Sequence, residues 1–497
     1  MPTPDAPRPR RTLLRILAIV LIAGLGAVLG FVLARGVLLA GIAVQASAAA
    51  AGGVLAGAAQ ALGRRRVLWA AVGVLAVTIA TSILLQLHRF GALGPLSQDR
   101  TASFERLWRA VDMSYPYFDI KSIDWDQARA RTLPLIEAAG SDAEYYAAIE
   151  GMLLALGDTH TWLDWPGSGT RCCFAITREI EGRAVVVEAG VYAQEMGLVR
   201  GSVIERVDGL AVEDALGRVD PGRTTASTPW TARNLAFFYL LSLPPGQEAL
   251  DITFSTSGGE TAQVTLTWAD HSAANAALAE TPRPRGPVVT GERLPSGYGL
   301  IRVPRLSAPA DADLVAEFDA ALDSLSDAPG LILDLRGNGG GSSMLGDQMV
   351  GRLLAEPFVY GHELYRRPLP MRFWMRSAPY RVAPRASRYA GPVVVLIDEL
   401  VASSAENMLA ALVDSGRAQT VGRTTSGASG NPLNFRLPGG ASAHFSTGDF
   451  RRLDGTRIEG RGITPDVPVT WTLEDFYAGR DPDLLAAEAL LDARSGQ

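Results

Sequence analysis

A chain of 497 residues exceeds the roughly 250 to 300 residues at which a single hydrophobic core stops growing, so two or three units are expected. The formal net charge is −6 and no Arg-rich stripe with interleaved aromatic residues occurs, which argues against the basic field that concentrates nucleic acid. Of the 46 basic residues, one alone is lysine, Lys121.

The N-terminal region 13–87 is strongly apolar, broken at Arg35 and at Gly63-Arg64-Arg65-Arg66. Its pieces 13–34, 37–62 and 67–87 are each long enough to cross a hydrocarbon layer of about 30 Å, and together they run far beyond the core of a cleavable signal. The middle piece, with Gln45 and Ser47, is the weakest span. Arg8, Arg10, Arg11 and Arg15 precede the first piece and Arg64, Arg65 and Arg66 separate the second from the third. The positive-inside rule places both clusters in the cytoplasm, which three spans satisfy. Residues 1–12 then form a cytoplasmic N-terminus, 13–88 an all-α transmembrane region and 89–101 a linker, and everything C-terminal lies outside the cell membrane. A buried hairpin of a soluble protein fits poorly, because no polar face breaks these runs.

Residues 102–156 read as helices, with apolar positions at helical spacing in Phe104-Leu107-Trp108-Val111 and in Tyr145-Tyr146-Ile149-Met152-Leu153. The turn Gly157-Asp158-Thr159-His160-Thr161 follows, and one of the five histidines stands there in a polar setting where its titration can serve a function. Cys172 and Cys173 are neighbours and cannot staple distant segments; a bond between them strains the backbone, so they read as buried thiols. Short β runs at 183–188, 202–207 and 250–254, separated by Gly and Asp turns, mark a small separate module over 172–270. A Pro-, Arg- and Ala-rich connector spans 271–297.

Alternation of strand 299–303, helix 310–325 and strand 330–335 is the signature of an α/β sheet. The second strand runs into Asp334-Leu335-Arg336-Gly337-Asn338-Gly339-Gly340-Gly341. A dinucleotide-binding reading of these glycines fails, since Ser342 stands where the last glycine of G-x-G-x-x-G belongs and no G-K-[ST] follows. Such glycines expose backbone N–H groups at the C-terminal edge of a sheet, where α/β enzymes place their sites. Strand 393–397 leads into helix 403–412, so the Ser403 hydroxyl projects beside free N–H groups able to hold an oxyanion. Ser403-x-x-Glu406 also matches a capping box, and taken alone the motif favours that structural role. Segments 441–446 and 456–459 flank Leu453-Asp454-Gly455 and read as a hairpin. The loop Ile458-Glu459-Gly460-Arg461-Gly462-Ile463-Thr464-Pro465-Asp466 closes the domain, followed by a helix over 476–497.

These segments, in this order, resemble the tail-specific (C-terminal processing) protease family, especially its tricorn-core and retinoid-binding-protein-like branch. The resemblance covers about residues 102–475 and includes Tyr117-Phe118, Asp124-Trp125, and a PDZ-like stretch at Gly197-Leu198 and Gly201-Ser202-Val203-Ile204-Glu205-Arg206-Val207-Asp208-Gly209. It implies an α/β (α+β) peptidase core of the ClpP/crotonase-like type with an inserted PDZ-like module. On that scheme 102–171 is the helical part carrying His160, 172–270 the PDZ-like domain and 298–475 the core carrying Ser403 and Glu459.

The resemblance selects Ser403 over Ser404 as nucleophile. The lysine-dependent branch carries its base where this chain has Ala428, within Gly422-Arg423-Thr424-Thr425-Ser426-Gly427-Ala428, and Lys121 lies in the helical start. A Ser–Lys dyad is therefore not expected, and Lys121→Ala is expected to leave acylation near wild type. The motif match instead assigns His160 as base, with Glu459 orienting it directly or through Thr159, which replaces the family's serine. The oxyanion falls to the N–H of Ser404 and to that of Gly340 or Gly341. The implied activity is a membrane-anchored serine endopeptidase acting on peptides or proteins outside the cytoplasm, with no cofactor. No metal is implied, and His88, His271, His362 and His444 show no ligand spacing. The alternatives are a non-catalytic membrane-tethered binding protein and a serine esterase. A PDZ-like module implies capture of an extended peptide by strand addition.

Overall fold

The computed structural model describes residues 98–495 except 168–170, 245, 280–285, 310–311 and 370. The three apolar spans lie outside these residues. Among the described residues no helix is long and apolar enough to cross a membrane.

The chain divides into two units. The smaller comprises the N-terminal part up to Tyr115 together with Arg366–Met375 and Asn434–Ala443. Its helix Arg100–Ser114 is capped by the Asp99 carboxylate and buries Phe104, Leu107 and Val111 of the expected stripe, while Trp108 is half-buried and Ala110 takes a core position. The larger unit holds Pro116–Tyr365, Arg376–Leu433 and His444–Gln497, and with them every candidate site residue.

In the larger unit Asp124 caps helix Trp125–Ala138, and a reciprocal Ser141/Glu144 capping box starts helix Asp142–Leu154. The second helix buries Tyr145, Tyr146, Ile149, Met152 and Leu153 and delivers the chain to the turn bearing His160.

The small module is an antiparallel sheet in the spatial order Ala175–Ile180, Arg183–Ala189, Val203–Val207, Ala249–Ser255, Thr261–Thr267. Helix Pro229–Tyr239 packs against its first strand, and Thr177 Oγ1 donates to the Phe237 carbonyl at 2.5 Å. Sequence periodicity passes over this helix, although Thr228 caps it and Pro229 opens it, both ordinary start signals. The connector is corrected in part, because helix Trp268–Ala279 fills its start and strand Thr290–Arg293 its end. Trp268 and His271 find partners on Phe174, with ring centroids 6.4 and 5.1 Å away, which gives the helix a face to bury. The reading of Cys172 and Cys173 as buried thiols is also corrected. The two are bonded to one another, Cys172 is exposed and Cys173 half-buried, and the core position at the start of this strand goes to Phe174.

The peptidase-like core is a six-stranded sheet in the order Val467–Pro468, Ala418–Gly422, Val393–Ile397, Leu331–Asp334, Gly299–Arg302, Thr290–Arg293. All neighbours are parallel except the last pair. Val393–Ile397 and Leu331–Asp334 are buried on both faces, so their sequences read as unbroken apolar runs. The pleat divides them: Leu331, Leu333, Val393, Val395 and Ile397 face helices Leu314–Ser324, Ser343–Gly351 and Ser404–Asp414. Ile332, Val394 and Leu396 face Ala487 and Leu491 of helix Pro482–Ser495. Arg336 bonds Asp334, Asp481 and Asp483, fastening that helix to the sheet's C-terminal edge.

The expected hairpin is corrected. Strand Gly448–Arg452 pairs antiparallel with residues 361–365, and only the single bridge Arg451↔Arg457 closes the turn at 453–455. Phe450 thereby joins Tyr360 and Tyr380 in an aromatic cluster, with centroid separations of 6.0 and 5.7 Å, burial that a free hairpin does not offer.

Candidate active site

Ser403 follows the buried strand Val393–Ile397 and immediately precedes helix Ser404–Asp414. Its backbone lies at φ 58°, ψ −129°, a positive φ that non-glycine residues rarely adopt and that costs about 1–3 kcal/mol. The tertiary structure holds it there: Ser403 N–H donates to Ala428 O at 2.7 Å, and Ala402 N–H to Asn338 O at 3.0 Å.

The capping-box reading of Ser403-x-x-Glu406 is overturned. The serine side chain makes no capping bond, and the fully buried Glu406 accepts from Thr425 Oγ1 at 2.5 Å, Gly427 N at 2.8 Å and Ala428 N at 2.9 Å. Burial outweighs these donors and pushes the Glu406 carboxyl up to about 8. Glu406 thus stays in the interior as an anchor for residues 425–428, while the Ser403 hydroxyl remains without a partner among the described residues.

The glycine loop packs against the serine so closely that side chains are excluded. A Cβ on Gly340 (φ 94°) would lie 2.8 Å from Ala402 O, 2.8 Å from Ser403 Cβ and 2.9 Å from Ser404 N. Asn338, completely buried, positions this loop by donating to Val303 O at 2.8 Å and accepting from Gly340 N–H at 2.9 Å. The Gly340 amide is therefore occupied. Gly341 N–H has no acceptor among the described residues, and Ser404 N–H, at the first helical position, is one of the donors a helix leaves open.

His160 sits in a turn organised by Asp158, which is wholly buried and accepts from His160 N–H at 2.9 Å and from Thr161 Oγ1 at 3.2 Å. Its ring is tied to the far side: Gly430 N–H donates to His160 Nδ1 at 3.3 Å. Burial, helped by the positive charge of Lys121, holds the imidazole below its ordinary value against the opposing pull of Asp158. The ring is neutral near pH 7, with Nδ1 accepting and the proton on Nε2.

Glu459 is 1% exposed. Oε2 accepts from Ser429 N–H at 3.0 Å and Oε1 from Lys121 Nζ at 2.9 Å, and Lys121 also donates to Gly157 O at 2.6 Å. Burial first, and then Asp158, push the Glu459 carboxyl up to about 7, while Lys121 and a hydrogen bond from Ser227 oppose this. Thr159 Oγ1 accepts from Ser227 N–H at 2.9 Å and lies 3.3 Å from Ser227 Oγ. Ser227 therefore links Thr159 to Glu459.

One short segment gathers these groups. Gly427 and Ala428 hold Glu406, Ala428 holds Ser403, Ser429 holds Glu459 and Gly430 holds His160. The two residues from Ala428 to Gly430 reach at most about 7 Å, so Ser403 and His160 are anchored close together. Among the described residues, however, no hydrogen bond joins Ser403 to His160 or Glu459 to the imidazole. Sequence reading missed Ser227, Asn338 and the 427–430 strip, which carry no side-chain signature of their own. It also left Lys121 without a role, whereas the lysine is bonded to the candidate orienting acid.

Residues 297–469 match Peptidase family S41, and residues 96–153 match the Tricorn protease C1 domain. Tricorn protease homolog 1 of Streptomyces coelicolor is 32% identical over 195 residues, 39% of this chain and 16% of that protein, so the chain spans a minor part of that relative. A carboxyl-terminal-processing protease of Synechocystis is 26% identical over 396 residues, covering 78% of this chain and 85% of the relative. The crystal structure of mature CPAF superposes with a TM-score of 0.62 at 17% identity, covering 80% of this chain and 96% of that one, a likeness of fold.

Proposed function

Because residues 297–469 carry an S41 peptidase region, we propose that this protein is a serine endopeptidase in which Ser403 is the nucleophile and His160 the general base. The observation that carries the reading is the Ser403 backbone. A serine held at φ 58° with its side chain unengaged at a helix N-terminus serves no capping purpose, and local strain of this kind clusters at reacting groups. Ser404 N–H and Gly341 N–H form the oxyanion pair, since the Gly340 amide is bound to Asn338.

In the reaction the Ser403 hydroxyl attacks a peptide carbonyl while its proton passes to His160 Nε2, which later returns it to the leaving amine. This requires the tautomer protonated on Nδ1, so the ring must first release the Gly430 amide. Thr159, Ser227 and Glu459 form the polar chain available to orient it. The missing Ser403–His160 hydrogen bond favours a second reading, a non-catalytic binding protein.

The hydropathy of residues 13–87 and the two arginine clusters support anchoring by three spans with the site outside the cytoplasm. The PDZ-like sheet and the carboxyl-terminal-processing relatives support an extended polypeptide, held near a chain end, as substrate. A fluorophosphonate probe tests the chemistry: the wild type is labelled and Ser403→Ala is not. Persistent labelling of Ser403→Ala, or none of folded wild type, rules out this assignment.

A further inference from the structure

Every cation of this chain is an arginine except one, and that exception is buried at the candidate site. The Lys121 side chain is 14% exposed and its partner Glu459 is fully enclosed at the side chain. Its ammonium spans 2.6 Å to the Gly157 carbonyl, at the root of the turn bearing His160, and 2.9 Å to Glu459 Oε1, on the loop that closes the core. The compact ammonium meets the carbonyl and the carboxylate with two of its three donors.

We propose that Lys121 is a positioning residue of the proteolytic site, clamping the Glu459 carboxylate to the His160 turn. The inference rests on the peptidase reading above. A carboxylate removed from water is unfavourable unless an opposite charge compensates it. Facing Glu459 are Lys121 and Asp158, and its charge also reaches Tyr117 and Glu406. Of these groups Lys121 alone is cationic; Asp158 and Glu406 add negative field, and Tyr117, stacked 5.4 Å from the Lys121 ammonium, is neutral. Without the lysine, Glu459 takes up a proton, loses its charge and accepts more weakly from Ser429 N–H and Ser227. The common anchor of the 427–430 strip and the Thr159 chain is then weakened.

The test is the pH profile of fluorophosphonate labelling in the full-length protein, wild type against Lys121→Met, with Ser403→Ala as the blank. Lys121→Met keeps the aliphatic stem and removes the charge that stabilises ionised Glu459. The acid limb should move upward by about one pH unit or more, giving about a fivefold or greater loss at pH 7 that recovers toward pH 9. An unmoved limb, whether labelling stays near wild type or falls equally at all pH values, overturns the proposal. Should the single variant fold poorly, Glu459→Gln and the double variant Glu459→Gln/Lys121→Met decide the matter, since the double variant removes both charges of the buried pair. Equal labelling of the two supports action through Glu459, and a further loss in the double variant overturns it. A wild type that resists the probe brings down the peptidase reading itself, whereas a labelled wild type with an unmoved limb in Lys121→Met brings down only the role of the lysine.

Discussion

Gly340→Ala isolates the contact between the glycine loop and the nucleophile. The new Cβ would stand 2.8 Å from both Ala402 O and Ser403 Cβ. Unstrained carbon contacts lie at about 3.5–4.0 Å, so one side must yield by about 0.7–1 Å. The residue also sits at φ 94°, for which a side chain costs about 1–3 kcal/mol, and overpacking adds about 1–3 kcal/mol. The expected destabilisation is about 2–6 kcal/mol, and a displacement of this size at a nucleophile is expected to slow labelling by about 10²-fold. Gly337→Ala is the control: it also has positive φ, 74°, but no atom lies within 4 Å of its added Cβ. It should show the dihedral cost alone, about 1–2 kcal/mol, and label nearly as fast as wild type. The assay is fluorophosphonate labelling rate with urea unfolding of the detergent-solubilised full-length chain. If Gly340→Ala labels within about threefold of wild type, or Gly337→Ala loses as much as Gly340→Ala, the loop does not set the serine's position.

Buried Glu406 also makes stability depend on pH. Its carboxyl, pushed up to about 8 in the folded state against 4.5 ordinarily, keeps a proton that the unfolded chain releases. The native state binds more protons between those values, so stability falls as pH rises from about 4.5 to about 8 and levels off above, by about 1.4 kcal/mol per unit at most. Urea midpoints measured from pH 5 to 8 should decline, and Glu406→Gln should flatten the decline; a slope unchanged by the substitution refutes the assignment to Glu406. For topology, protease added to intact cells should cleave the region after residue 101. Protection there, with cleavage only after lysis, would place the site on the cytoplasmic face and overturn the three-span arrangement.

The parallel strands were legible because burial on both faces leaves unbroken apolar runs such as 393–397 and 331–334. Helix Pro229–Tyr239 and the partner of Gly448–Arg452 were not, since the second is chosen by aromatic packing among Tyr360, Tyr380 and Phe450, residues far apart in the chain. Ser403 and Glu406 show the same limit at the site. Spacing alone suggested a cap, and only the folded chain reveals the glutamate turned inward to residues 425–428.

Sequence by itself thus determined the buried parallel strands, where the glycine loop and the strand-to-helix serine fall, and that an apolar N-terminal region carries arginine clusters. These follow from local conformational preference and from periodicity along a few consecutive residues. The tertiary structure decided the partners: Ser403 on Ala428, His160 on Gly430, Thr159 on Ser227, and Lys121 on Glu459. Long-range hydrogen bonds and buried charge pairs join positions tens to hundreds of residues apart, and they exist only once packing has excluded water and fixed which groups meet.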